Sequence, residues 1–196
     1  CSSDLPRPNW ASCLSARVCD WPAGPEFWPK MYSRFQGHSL MAVNPRTVRG
    51  RRTLQFQSFQ DVLRDVEQLA ASESLQMLGN WPLPELLNHL TMTMNNSIDG
   101  FQVRAPWLIR LLAPLMKRSA LKQIRPGIRL PKSAEAMAFP QAVSLAKSLQ
   151  DFRRAMERVS CETMQAPHPA FGSMTHQDWC QLHLRHCEMH LSFAIP

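Results

Sequence analysis

The chain has 196 residues, 44% hydrophobic and 19% charged, with a formal net charge of +7. That length suits one domain whose core can fold unaided. No apolar run approaches the ~20 residues of a membrane-spanning helix, and no repeat of fixed period is visible, which excludes a solenoid.

Residues 1–50 are the irregular part. They hold three of the six Cys, three of the six Trp and six of the sixteen Pro, without helical or strand periodicity. Cys1-Ser-Ser is open to three readings: the start of a processed bacterial lipoprotein, the start of a fragment, or sequence upstream of true initiation at or near Met41. The third is preferred, so the segment is expected to be disordered or not native coding sequence, and residues 1–40 are expected to be dispensable for the fold. Cys13 and Cys19 could pair in an oxidising compartment, but Cys161, Cys180 and Cys187 supply no disulfide framework, so a reduced, cytoplasmic setting is the default.

Regularity begins at Arg51. Thr53-Leu-Gln-Phe-Gln alternates briefly and predicts a short extended lead-in. Ser58 with Asp61 three residues on resembles a capping box. Val62, Leu63, Val66, Leu69 and Ala70 follow at helical spacing, which predicts a first helix over about 58–71. Asn80-Trp-Pro-Leu-Pro opens a second helix, since Pro82 and Pro84 are tolerated only in a first turn. Leu83, Leu86, Leu87, Leu90 and Met94 form its apolar stripe, and Gly100 is a natural end. His89 falls on that stripe. By itself it reads as a hydrogen-bonded core histidine; a histidine pair on another helix changes its value.

From Arg104 to Lys132 there are eight basic residues (Arg104, Arg110, Lys117, Arg118, Lys122, Arg125, Arg129, Lys132) and no acidic one. The first half, Pro106-Trp-Leu-Ile-Arg-Leu-Leu-Ala-Pro-Leu-Met, is strongly apolar. The preferred reading is an amphipathic helical excursion with a solvated basic face. The alternatives are attraction of an anionic substrate to a nearby cleft and contact with an anionic membrane surface. Nucleic acid is not expected, because no recognised binding motif accompanies the charge.

Ala142, Leu145, Leu149, Phe152, Met156 and Val159 step 3-4-3-4-3, the seam of a bundle helix. A Pro- and Gly-bearing loop, Ala166-Pro-His168-Pro-Ala-Phe-Gly172, precedes Thr175-His-Gln-Asp178, which caps the last helix. That helix carries His183, His186 and His190. At about 100° per residue the three lie within roughly 60° of arc, on the stripe that Trp179, Leu182, Met189 and Phe193 continue. An i, i+4 histidine pair can close on one metal ion, but a further ligand must then come from elsewhere in the chain. Glu188 lies about 200° from His186 and so cannot act as a base beside such a metal. Glu85, one turn before His89, reads as a first-turn Glu favoured by the helix dipole, with orientation of the His89 ring as the alternative. A zinc site from Cys180, His183, Cys187 and His190 is disfavoured, since one helix cannot wrap four of its own side chains around an ion. Cys180 and Cys187 read as small buried hydrophobes.

Four long helices, an inward His on the second and a His-x-x-x-His on the last resemble the DinB-like (YfiT-like) metal-binding four-helix bundles. Leu78-Gly-Asn-Trp81, Asn96-Ser-Ile-Asp-Gly-Phe101, Ala166-Pro-His-Pro-x-Phe-Gly172 and Gln181-Leu-His-Leu-Arg-His186 look like one branch, a bacterial domain family without an established function. The resemblance runs from about Arg51 to Pro196. It implies an all-α fold, a DinB-like four-helix bundle over 51–196 with an extra basic helical excursion between helices 2 and 3. It also implies a metal triad of His89, His186 and His190, leaving His183 to support a ligand or to pack in the core, with substitution for a neighbouring ligand as the alternative.

Three imidazoles leave one or more coordination positions open and suit Zn, Ni or Fe. The resemblance further implies a metal-activated low-molecular-weight thiol cofactor, which is the chemistry of S-transferases. The expected function is therefore a metal-dependent thiol S-transferase or hydrolase acting on a small molecule, with a non-catalytic, stress-associated metal-binding bundle as the alternative. No nucleic-acid partner and no transmembrane segment are expected, and a homodimer stays open.

Overall fold

Among the described residues, the apolar stripes read from the sequence lie on helices. The architecture, a computed structural model, describes residues 43–127 and 143–196, and the elements named here are those of the described residues. They run α1 (Phe59–Ala71), β1 (Gln76–Met77), α2 (Leu83–Asp99), α3 (Trp107–Lys122), α4 (Leu145–Cys161), α5 (His176–Leu191) and β2 (Ala194–Ile195). Among the described residues the fold is all-α apart from one two-residue antiparallel ladder, with Gln76 opposite Ile195 and Met77 opposite Ala194, and an isolated bridge between His168 and Gly172. Readings that fall on residues 1–42, including the Cys13–Cys19 pair, and on Arg129, Lys132 and Ala142 lie outside the described residues.

The helix starts follow their capping chemistry. Ser58 and Asp61 close a full capping box on α1, and Thr175 and Asp178 do the same for α5, each box satisfying two otherwise orphaned N–H groups. Pro82 is the N-cap of α2 and Pro84 stands in its first turn, where no helical N–H is lost. Gly100 ends α2 at φ 103, a conformation that L side chains rarely adopt.

Helices α1, α2, α4 and α5 enclose one core, with α2 on α4 and α5, and α1 on α4 and α5. Leu83, Leu87, Leu90 and Met94 of α2 meet Phe152 and Val159 of α4 and Trp179 and Leu191 of α5, all at most 2% exposed. Full burial of each such side chain stabilises the fold by about 1.5–3 kcal/mol. Helix α3 lies outside this set and packs on α5. Lys117 holds it there, donating to the Asp178 carboxylate at 2.8 Å and to the Ser173 carbonyl at 3.2 Å.

One expectation changes, and another gains partners. The Thr53–Gln57 lead-in is strapped along α5. Phe56 N–H donates to Glu188 at 2.6 Å, Arg185 donates to Phe56 C=O at 2.7 Å, and Arg52 N–H donates to Ser192 C=O at 3.0 Å. Phe193 does not continue the α5 stripe, because the helix stops at Leu191 and the chain turns at Ser192 into β2. Its ring packs against Gly79, where an added Cβ would sit 3.4 Å from the ring, and under the Arg51 guanidinium at 4.1 Å.

Candidate metal centre

The contacts between α2 and α5 set the geometry. Ser97 meets His183 and His89 meets His186, so the two helices run antiparallel and their inward polar residues face each other in two tiers. In the first tier, Ser97 Oγ donates its only proton to the Met94 carbonyl at 2.6 Å. It therefore accepts from His183 Nε2–H at 3.0 Å, which fixes that tautomer. Trp179 stacks on the His183 ring at 5.3 Å, and burial, then the nearby His168, push its pKa down to about 3. His183 is thus a core residue with its Nε2 committed.

One turn further along α5, the second tier differs. His186 Nε2 lies 3.3 Å from His89 Nε2 and 3.0 Å from His190 Nε2, and the ligand atoms of all three histidines lie within 4.8 Å of one another. Ligand bonds of about 2.1 Å in a tetrahedral shell place donor atoms roughly 3.4 Å apart; the two spacings from His186 match this, and the 4.8 Å span of the set closes on one ion with a small rotation of a ring. The donor chemistry fits as well. A ring nitrogen carries one proton or one lone pair in its plane, so His186 Nε2 cannot make a well-directed hydrogen bond to both neighbours at once. A cation on the three lone pairs satisfies all of them. Burial first, then the neighbouring imidazoles, hold His186 well below the usual histidine range; burial, then His89 and Arg51, do the same for His190. Unprotonated imidazole is the form that binds metal.

Two residues unforeseen in the sequence frame this tier. Trp81 stacks on the His190 ring at 5.5 Å with the planes 10° apart and tilts against His89 at 5.0 Å. It sits at the end of Leu78-Gly-Asn-Trp81, next to the backbone that the β1–β2 ladder and the Leu78 N–H to Phe193 C=O bond of 2.8 Å fix in place. Arg51 is anchored on the end of α5, donating to Ser192 Oγ at 2.6 Å and to the Met189 carbonyl at 3.3 Å. No ion pair joins it to a carboxylate among the described residues, and burial lowers its pKa. An extended segment gives no periodic signal that would have singled Arg51 out; Trp81 was visible only as part of a motif.

The remaining candidates fall elsewhere. Glu188, on the far side of α5, binds Phe56 N–H and Arg185. Glu85 stands in the first turn of α2, its carboxyl pKa raised by burial. His168 closes its own loop, with Nδ1 accepting from Ala170 and Phe171 N–H at 3.1 Å each, and burial, then Lys117, lower it to about 4. His176 accepts from Met164 N–H at 3.2 Å. Cys187 is fully buried and its thiol is pushed up, above all by burial. Neither Cys180 nor Cys187 joins the three histidines.

Residues 48–196 match the model of a family described as "Protein of unknown function (DUF1569)". No curated protein and no solved structure matches the chain.

Proposed function

The chain belongs to the DUF1569 family, and from that premise we propose that it is a metal-dependent enzyme built on a DinB-like four-helix bundle, with His89, His186 and His190 as the ligands. The observation that carries this reading is the convergence of three Nε2 atoms on one point between α2 and α5. A divalent metal held by three neutral imidazoles supplies Lewis acidity at its remaining positions and lowers the pKa of a coordinated thiol or water.

The chain's own residues favour thiol S-transfer over hydrolysis. Water activation calls for a nearby proton acceptor; Glu188 is engaged with Phe56 and Arg185, which leaves Glu85, one turn before His89 and with its carboxyl pKa raised by burial, as the acceptor hydrolysis would need. A thiol that ionises on coordination needs no such base. Arg51 supplies positive charge beside His190, which suits an anionic low-molecular-weight thiol. Trp81 gives a flat apolar wall against His190 and His89, covering the His190 ring face.

Metal analysis of the purified protein, followed by a screen of anionic thiols against electrophilic acceptors, tests the reading. One equivalent of Zn, Ni or Fe per chain is expected. A cobalt-substituted sample should show three protein nitrogens and an exchangeable position. Chelation should leave the helical circular dichroism intact, because the apolar core needs no metal staple. Global unfolding on chelation, or a closed shell of protein ligands, would end the enzyme reading and favour a non-catalytic metal-binding bundle. We also propose that residues 1–40 are dispensable. They lie outside the family match, and removing them should move the thermal midpoint by less than about 2 °C.

A further inference from the structure

We propose that α3 is an in-plane anchor that seats this protein on an anionic lipid surface. Among the described residues, the exposed large hydrophobics are Val43 and a set confined to α3, led by Leu115 at 81% and Trp107 at 71% exposed. Trp107, Leu108, Leu111, Leu112, Leu115 and Met116 spread over about 180° of the helix at 100° per residue, so up to Met116 half its circumference is apolar and exposed, and Arg118 and Lys122 continue the same arc as its basic end. The opposite side is the attached one: Ala113 is buried and Lys117 is tied to Asp178 and Ser173. The helix is therefore fixed to the domain with its apolar face presented. A contiguous exposed apolar patch of this kind marks an interaction surface.

The charge around the patch selects the occupant. Arg104, Arg110, Arg118, Lys122 and Arg125 flank it or stand just beyond its end, and no acidic residue occurs from 104 to 127. All five are solvent-exposed. A second copy of this chain would bring an equally cationic rim against the first and be repelled. Anionic lipid offers apolar tails for the leucines and headgroups for the guanidinium and ammonium groups. Trp107 opens the helix, and tryptophan is enriched where an apolar phase meets water. No helix of the described residues is long and apolar enough to cross a membrane, so α3 lies along the surface and does not span it.

The test is co-sedimentation of the full chain with phosphatidylcholine vesicles, with and without phosphatidylglycerol, at low and high salt. Trp107→Phe and wild type are compared for the fluorescence change of a tryptophan entering lipid. Binding to the anionic vesicles, weakened by salt and reduced at least roughly tenfold by Leu111→Asp with Leu115→Asp, is expected. Arg118→Glu with Lys122→Glu should weaken binding to anionic vesicles while leaving the thermal midpoint in place, which separates lost binding from lost folding. The proposal is overturned by absence of binding to anionic vesicles or by equal binding to neutral ones. It is also overturned if sedimentation equilibrium shows a dimer that Leu111→Asp dissociates, or if only an acidic protein binds the face.

Discussion

Helices α5 and α3 pack against each other and invert each other's rule. α5 turns imidazoles toward the interior, where apolar side chains are the norm; α3 turns leucines toward solvent, where polar ones are. In both, the deviation occupies one continuous face. A buried polar group is tolerated only when its bonding capacity is used, and an exposed apolar face persists only at the cost of unfavourable hydration. On our two proposals, the pair marks where this molecule meets something beyond its own chain: an ion on one helix and an apolar, anionic phase on the other.

The largest effects should come from the inner face. His186→Ala, which removes the imidazole central to both short contacts, should lower metal affinity by more than the 10- to 100-fold typical of losing an outer hydrogen-bond partner. His89→Ala should do the same, and in both the helical circular dichroism should survive. Metal stoichiometry after dialysis against a weak chelator is the measurement; retention of one equivalent by either variant would break the contrast between the two tiers.

Acid should weaken the fold next most strongly. His183 and His168 have folded-state pKa values of about 3 and about 4, below the ordinary histidine value near 6.5. Between those limits the unfolded chain binds more protons, so stability falls as pH falls. The contribution is complete above pH 6.5 and gone near pH 3. At about 1.36 kcal/mol per unit, the loss is of the order of several kcal/mol. Urea titrations between pH 7 and 4 (roughly the window set by those values) should show it, and His183→Asn should flatten the slope.

Smaller still is Ser97→Ala, which strips the acceptor from His183 Nε2–H and should cost about 1–3 kcal/mol, read as a shifted denaturation midpoint at constant metal content. Smallest is Leu111→Ala on α3, expected within about 0.5 kcal/mol, where Leu87→Ala in the core should cost roughly 2–5 kcal/mol. A Leu111→Ala loss comparable to the core value would mean that the α3 face is covered.

Much of this was legible in the sequence for a definite reason. Spacing reports which residues share a face, and the 3-4 steps of Leu83–Met94 and of His183–His190 survive in the helices. Spacing does not report what a face meets. His183 and His186 are indistinguishable by periodicity; Ser97 opposite one and His89 opposite the other separates them. The outward turn of α3 was equally hidden, because an apolar stripe reads the same whether it faces a core or solvent. Arg51 and Trp81 lie outside any periodic segment, and only the meeting of the lead-in and β1 with the end of α5 brings them to the histidines.

The strap that joins Arg51, Arg52 and Phe56 to α5 has a temporal consequence. These contacts close loops of 129 to 141 residues, among the longest that the described chain can form, and His89 waits 97 residues for His186. Non-local contacts of that order form after local ones, since loop-closure entropy must be met first. Helices α1, α2 and α4 meet across shorter loops, 59 residues for Arg158 on Asp99 and 86 for Arg153 on Glu67, and can assemble while the donor set is still incomplete. Metal capture should then be a late event in maturation: during refolding with cobalt, the ligand-field absorption should lag behind the helical signal. An ion bound at this position would report that the first and last segments of the domain have found each other.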